Sequence, residues 1–267
     1  MRAALGMLRM RFIYSLQYRA AAWAGVMTQV FWGFMETLLY KAFYASNAAA
    51  FPMTLPQVTC YIWLRQAFFA MFILWSVDGD ILDMIINGNV GYEIIRPTDL
   101  YWMWFTRNLG SRLSKVALRC GPVFLVAFLL PAPFGLSLPP NWVTFFAFLL
   151  SFVMAVLLII GLCMWIYILS FYTIASRGVQ SIVGLTAEFL SGSLLPIPFM
   201  PEGFQKVAYL LPFAQTQAVP YLMYSGYYSG REMVMNLGVQ LFWLIVVIGS
   251  GHAVMKRALL KVTVQGG

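Results

Sequence analysis

From Trp142 to Phe171 the chain reads WVTFFAFLLSFVMAVLLIIGLCMWIYILSF, without one Asp, Glu, Lys or Arg. About 20 apolar residues in an α-helix cross the hydrocarbon core of a bilayer. Only helices and closed barrels satisfy every backbone N–H and C=O there. Such a run commits its segment to a membrane helix, and the rest of the chain agrees. It is 61% hydrophobic and 10% charged, where soluble domains are roughly 45–50% apolar.

Further apolar stretches predict helices over about 20–44, 57–77, 97–130 and 233–255, with a shorter one over 178–195. The expected fold is therefore an all-α integral membrane protein of about six transmembrane helices. Pro97 suits the first turn of the third. Its first half carries Arg107, Arg112, Lys115 and Arg119, so it is expected to start in the cytoplasm and enter the bilayer obliquely. The stretch 178–195 contains Glu188 and Ser191-Gly192-Ser193, and Pro196, Pro198 and Pro201 follow it. Proline removes a donor and breaks a helix. The pattern predicts a broken, re-entrant-like helix before the last span, with Pro201 and Pro212 each opening a short helix.

Lys and Arg collect on the cytoplasmic side of membrane proteins. Arg2, Arg9, Arg11, Arg19, Arg96, Arg107, Arg177, Lys256, Arg257 and Lys261 fall on one side of the expected spans, against Lys41, Lys206 and Arg231 on the other. Both termini are expected in the cytoplasm. The resulting organisation is a cytoplasmic or interfacial segment 1–19, a single transmembrane domain 20–256 and a cytoplasmic tail 257–267. Within the domain, 78–97 is cytoplasmic and the Pro-rich element 196–231 extracytoplasmic.

The net charge of +8 fits basic helix ends that set orientation and touch anionic lipid headgroups, not nucleic-acid binding. Cys60, Cys120 and Cys163 stand apart in apolar sequence, and His252 is the sole histidine, so no metal site is expected. No GxxxxGK[ST], GxSxG or HExxH occurs. No catalytic residue, cofactor or enzymatic activity is expected in this chain.

Two groups of charged residues need an explanation. The segment VDGDILDMIINGNVGYEIIRPTDLYW, Val77–Trp102, gathers much of the acid of an oily chain. Asp78 can cap a short helix, Asp80 favours its N-terminus, and Asn87-Gly88 is a helix stop. Between them, Ile81 with Ile85 and Leu82 with Ile86 form apolar pairs at i,i+4 spacing. They suit a partner's groove; a solvated structural loop is the other reading. The second group lies within the spans. Glu36 and Arg65 sit at matching depths, roughly 12–14 Å in at ~1.5 Å per residue. Such charges are costly and are paired or face water, so an ion pair and a place on a translocation path are both open. Arg112, Lys115 and Arg119 share one helical face, suited to lipid phosphates, to packing or to a cavity lining. Glu188 is placed to hold backbone N–H groups freed at the Ser-Gly break, or to line a route.

Two motifs together resemble a known family. NGNVGYEIIRP, Asn87–Pro97, and LSGSLLPIPFMPEGFQKVAYLLPF, Leu190–Phe213, are similar to segments of the permease subunits of ABC-2 type exporters. The closest subfamily carries Gly-Tyr-x-Ile-x-Arg-Pro after the second helix. The resemblance spans essentially the whole chain. It implies a multi-pass protein of the bacterial cytoplasmic (inner) membrane, paired with a second permease and two ATPase subunits. An unlike second permease is favoured over a homodimer. ATP and Mg would be bound in the ATPases. It also implies a coupling helix, with Asp80, Ile81, Leu82, Asp83, Ile85, Ile86, Tyr92 and Arg96 as ATPase contacts. A secondary transporter without an ATPase is the alternative, though the internal repeat usual in such proteins is not evident. A membrane-embedded lipid enzyme would need an acidic or His cluster with ligand spacing.

Overall fold

The computed structural model describes Gly6 and residues 19–74, 77–173 and 175–260. Apart from Gly6 and Arg19, the expected interfacial segment 1–19 lies outside the described residues, as do residues 261–267 of the expected tail. The described chain is helical throughout, with eleven α-helices and two 3₁₀ turns.

The charge-free run becomes α7, Trp142–Ser170. Asn141 opens it by accepting a hydrogen bond from the Thr144 amide at 2.8 Å, which satisfies one of the donors a helix start leaves orphaned. It is the central post of the fold. Its 155–168 stretch is buried nearly all round, with Ala155, Leu158, Ile160, Cys163 and Tyr167 fully enclosed. Against it packs α11, Arg231–Leu259. These two are the described helices long and apolar enough to cross a membrane. They run parallel, since Ser151 meets Gln240 and, further along both, Gly161 meets Val247. The segment between them must therefore return across the molecule.

The helices before them differ from expectation in instructive ways. The first, α1 (Arg19–Asn47), and the third long helix, α6 (Leu100–Leu129), have the expected length. The second expected span divides into α2, Leu55–Ala67, and a single turn, α3, Phe69–Phe72. Thr54 and Gln57 open α2, the Gln57 side chain accepting from the Thr54 amide at 2.8 Å. The helix stops before 77, although no Gly or Pro ends it. Two short helices, α4 (Gly79–Ile86) and α5 (Gly91–Ile94), occupy the acidic segment. The return across the molecule is made by α8, Ser176–Leu190, which is too short to span. A 3₁₀ turn at Ile197–Phe199 follows, then α9 (Glu202–Leu210) and α10 (Ala218–Tyr224). Pro201 caps α9 as expected. Pro212 opens no helix; the chain turns from 212 to 217 before Gln217 caps α10.

The outer surface is apolar. Along α1 an exposed stripe runs through Trp23, Met27, Phe31, Met35 and Leu38, and α8 and α11 carry similar stripes. Contiguous apolar surface on this scale needs a hydrocarbon environment.

Candidate functional site

Two polar constructions stand out in this apolar fold: the acidic segment at one end and the interrupted backbone at its middle. In the acidic segment, the Asp78 side chain accepts from the Asp80 amide at 3.2 Å and caps α4. Gly88, with φ +73°, ends it, a conformation that favours glycine. The cap is fastened to the bundle twice. Arg107 of α6 grips Asp78 with two bonds of 2.7 and 2.9 Å and reaches Asp80 at 2.7 Å. The Asp78 amide donates to the Tyr167 hydroxyl on α7 at 2.8 Å, and that hydroxyl donates to Asn108 at 3.1 Å. Glu93 is buried and accepts from the Trp104 indole. Asp99 caps α6 and pairs with His252 of α11 at 2.8 Å. Burial works against ionisation of Asp99, but its hydrogen bonds from His252 and from the backbone outweigh this and hold its carboxyl below the usual range.

The reading of the segment as a partner surface is therefore narrowed. Asp78, Asp80, Glu93 and Asp99 are matched within the chain, and exposed Asp83 lies 3.4 Å from exposed Arg177. The apolar contacts are revised too. Ile81 is 0% exposed and packs with Leu82 in the core, so neither is available to a partner. Burying those side chains against α7 is what seats the helix. Ile85 is half-buried; Ile86 is exposed. The surface left open is formed by Ile86, Tyr92, Ile94, Ile95 and Arg96, with Tyr92 74% and Ile95 80% exposed. Ile94 and Ile95 escaped the sequence reading; two adjacent isoleucines between Glu93 and Arg96 were the available signal.

At the middle of the molecule, α8 ends and the chain turns through Ser191-Gly192-Ser193. Gly192 has φ +79°, and a Cβ there would lie 2.6 Å from the Tyr61 hydroxyl. Each carbonyl of the turn has a donor. Ser191 accepts from the Ala218 amide at 3.1 Å, Gly192 from the Tyr61 hydroxyl at 2.8 Å, and Ser193 from the Arg65 guanidinium. Arg65 also pairs with Glu36 of α1. The two intramembrane charges matched by depth thus meet, and their guanidinium does a second task, tying α1, α2 and the turn together. On the far side of α7, buried Gln240 donates to the carbonyls of Ser151 and Gln215 at 2.9 and 2.8 Å.

The arginine–lysine face of α6 disperses. Arg112 is buried and donates to the Met71 and Ile73 carbonyls at 2.5 and 2.7 Å, where α3 unwinds. Lys115 is exposed. The Arg119 guanidinium lies against Gly25 of α1, where a Cβ would come within 2.7 Å of it. The three thus face three different surroundings. Glu188 lines a small cavity with Phe72, Ser191, Ser193, Thr216 and Gln217. Ile159, midway along α7, lines it as well, which places the interruption at mid-depth.

An apolar exterior around an interrupted, internally satisfied backbone defines a membrane protein in which irregular structure is protected by the rest of the chain. The sequence matches the family described as ABC-2 family transporter protein over residues 30–266, and the chain belongs to that family. It is thus a membrane permease of the ABC transporter class. No curated protein matches it.

Proposed function

We propose that this chain is the membrane-spanning permease subunit of an ATP-driven exporter, forming half of a translocation path in the bacterial cytoplasmic membrane. In this reading it crosses the bilayer about six times, with both termini and the acidic segment in the cytoplasm. It works with a second permease, favoured to be unlike it, and with two ATPase subunits that bind ATP and Mg. This chain itself carries out no catalysis.

The observation that carries the reading is the exposed apolar surface of Ile86, Tyr92 and Ile95 on a fastened scaffold. Leaving large apolar side chains in water is unfavourable, and this patch belongs to the segment that resembles the family's coupling motif. Movement of a partner seated there is transmitted through Arg107 to α6 and through Tyr167 to α7. Ile95→Glu is expected to leave expression and the detergent elution profile unchanged, while the ATPase no longer co-purifies and export stops. Retention of the ATPase with full transport by that variant would sink the assignment. A transporter that needs no ATPase would instead move its cargo in ATP-depleted vesicles.

A further inference from the structure

Between α1, α2 and the turn after Ser193 lies a cavity of about 460 Å³, within the 300–1,000 Å³ typical of small-molecule sites. Trp32, Tyr40, Phe43, Phe51, Tyr61 and Phe199 line it beside as many aliphatic residues. Tyr40 and Phe51 lie 5.5 and 5.8 Å from Phe199, centroid to centroid, and Tyr40 lies 6.5 Å from Phe43. The charged groups in the lining are Glu36 and Arg65, and they are not equivalent. Arg65, with a side chain 10% exposed, is engaged by Ser193 and by Glu36. Glu36 is twice as exposed. It accepts from Arg65 through Oε2, and its other oxygen has no donor among the described residues.

We propose that this cavity binds an amphiphilic amine, with its apolar body against the rings and its ammonium donating to the free oxygen of Glu36. Ring faces carry negative potential and attract cations, and a carboxylate oxygen only accepts hydrogen bonds. A neutral apolar guest leaves that oxygen unmatched, and an anion meets it and the ring faces unfavourably. The neighbouring guanidinium weakens the Coulomb attraction. Burial of the apolar body therefore supplies most of the affinity, and the ammonium sets the selectivity. The assignment rests on the permease reading for its role as a cargo site, but binding is a property of the chain alone.

The test uses the purified full chain in phosphatidylcholine nanodiscs and three matched probes, with empty nanodiscs subtracted. They are a dansyl-alkyl ammonium, its N-acetylated neutral form and the corresponding carboxylate. The ammonium is expected to bind saturably and about tenfold more tightly than the other two. Glu36→Gln should abolish that preference. Should this variant not fold, the double change Trp32→Leu with Phe43→Leu keeps the ion pair and trims the apolar wall; it should lower affinity for the ammonium and for the acetylated probe alike, at least fivefold for each. Equal affinity for all three probes, tightest binding of the carboxylate, an ammonium preference that survives Glu36→Gln, or unchanged affinities in the double change would overturn the proposal. Replacing half the lipid by phosphatidylethanolamine separates the sources. A weakened probe identifies a lipid headgroup amine as the occupant, and an unchanged one a free amine; either keeps the site. Binding that persists in a chain that captures no ATPase would sink the permease reading and leave this site standing.

Discussion

Arginine fastens both polar regions, but to different things. At the acidic end, Arg107 meets carboxylates alone among the described residues, those of Asp78 and Asp80, and the helix they cap is intact. At mid-depth, Arg65 divides itself between the Glu36 carboxylate and the Ser193 carbonyl, and Arg112 serves the Met71 and Ile73 carbonyls. The difference reflects what each place lacks. Where helices are complete, what needs balancing is charge. Where a helix unwinds in an apolar interior, what is missing is donors for backbone oxygens, and each one left unmet costs about 1–3 kcal/mol. A guanidinium with five N–H groups can serve two carbonyls at once.

The contrast can be broken most severely at Arg65. Arg65→Met strands Glu36 and the Ser193 carbonyl together and should destabilise by about 3–5 kcal/mol, read as a lower unfolding midpoint and less folded protein. Glu36→Gln in that background should restore part of the loss but not all, because Ser193 still lacks its donor. Strictly additive losses would show that the pair is not coupled. Arg112→Met comes next, at roughly 2–3 kcal/mol for two unmet carbonyls, and Arg112→Lys should rescue it poorly because one ammonium cannot reproduce the planar fork.

Gly192→Ala is expected to cost about 1–2 kcal/mol. Tyr61→Phe in the same chain would remove the close oxygen and also the donor to Gly192, so it should not rescue. Recovery to the parental midpoint would mean that crowding, not the left-handed backbone, sets the cost. The smallest effect belongs to the acidic end. Asp99→Ala should lose about 1 kcal/mol with the cap. The folded-state pKa of Asp99 is lowered, so its charge contributes stability above the ordinary carboxylate value. That contribution fades as pH falls through the lowered one. The gap between parent and Asp99→Asn should thus close as pH falls through the lowered value.

How much of this could be read from residues alone varies with the range of the cause. The Asp78 cap, the Asn87-Gly88 stop and the limits of α7 were legible, because each depends on neighbours in sequence. The meeting of Glu36 and Arg65 was legible as matched depth, since two unmatched charges in hydrocarbon are costly. The inward turn of Ile81 and Leu82 was not. An apolar face at helical spacing shows that something is covered, and not whether the cover is the chain itself or another protein. The break after Phe72 was hidden for a similar reason. FFAMFIL contains nothing that ends a helix; the unwound carbonyls are accepted because Arg112, far along the chain, reaches them. Helical phase likewise placed Arg112, Lys115 and Arg119 together without revealing that three different surroundings awaited them.

The Glu36–Arg65 pair also has an electrical meaning. A unit charge carried across a membrane potential exchanges about 2.3 kcal/mol per 100 mV. The pair carries no net charge, so shifting α1 and α2 together along the bilayer normal exchanges almost nothing with the field. Arg112, held by carbonyls, carries a full charge on α6. A cycle that slides α6 along the normal is therefore expected to run at a voltage-dependent rate, and one that moves only α1 and α2 to run alike in polarised and depolarised vesicles.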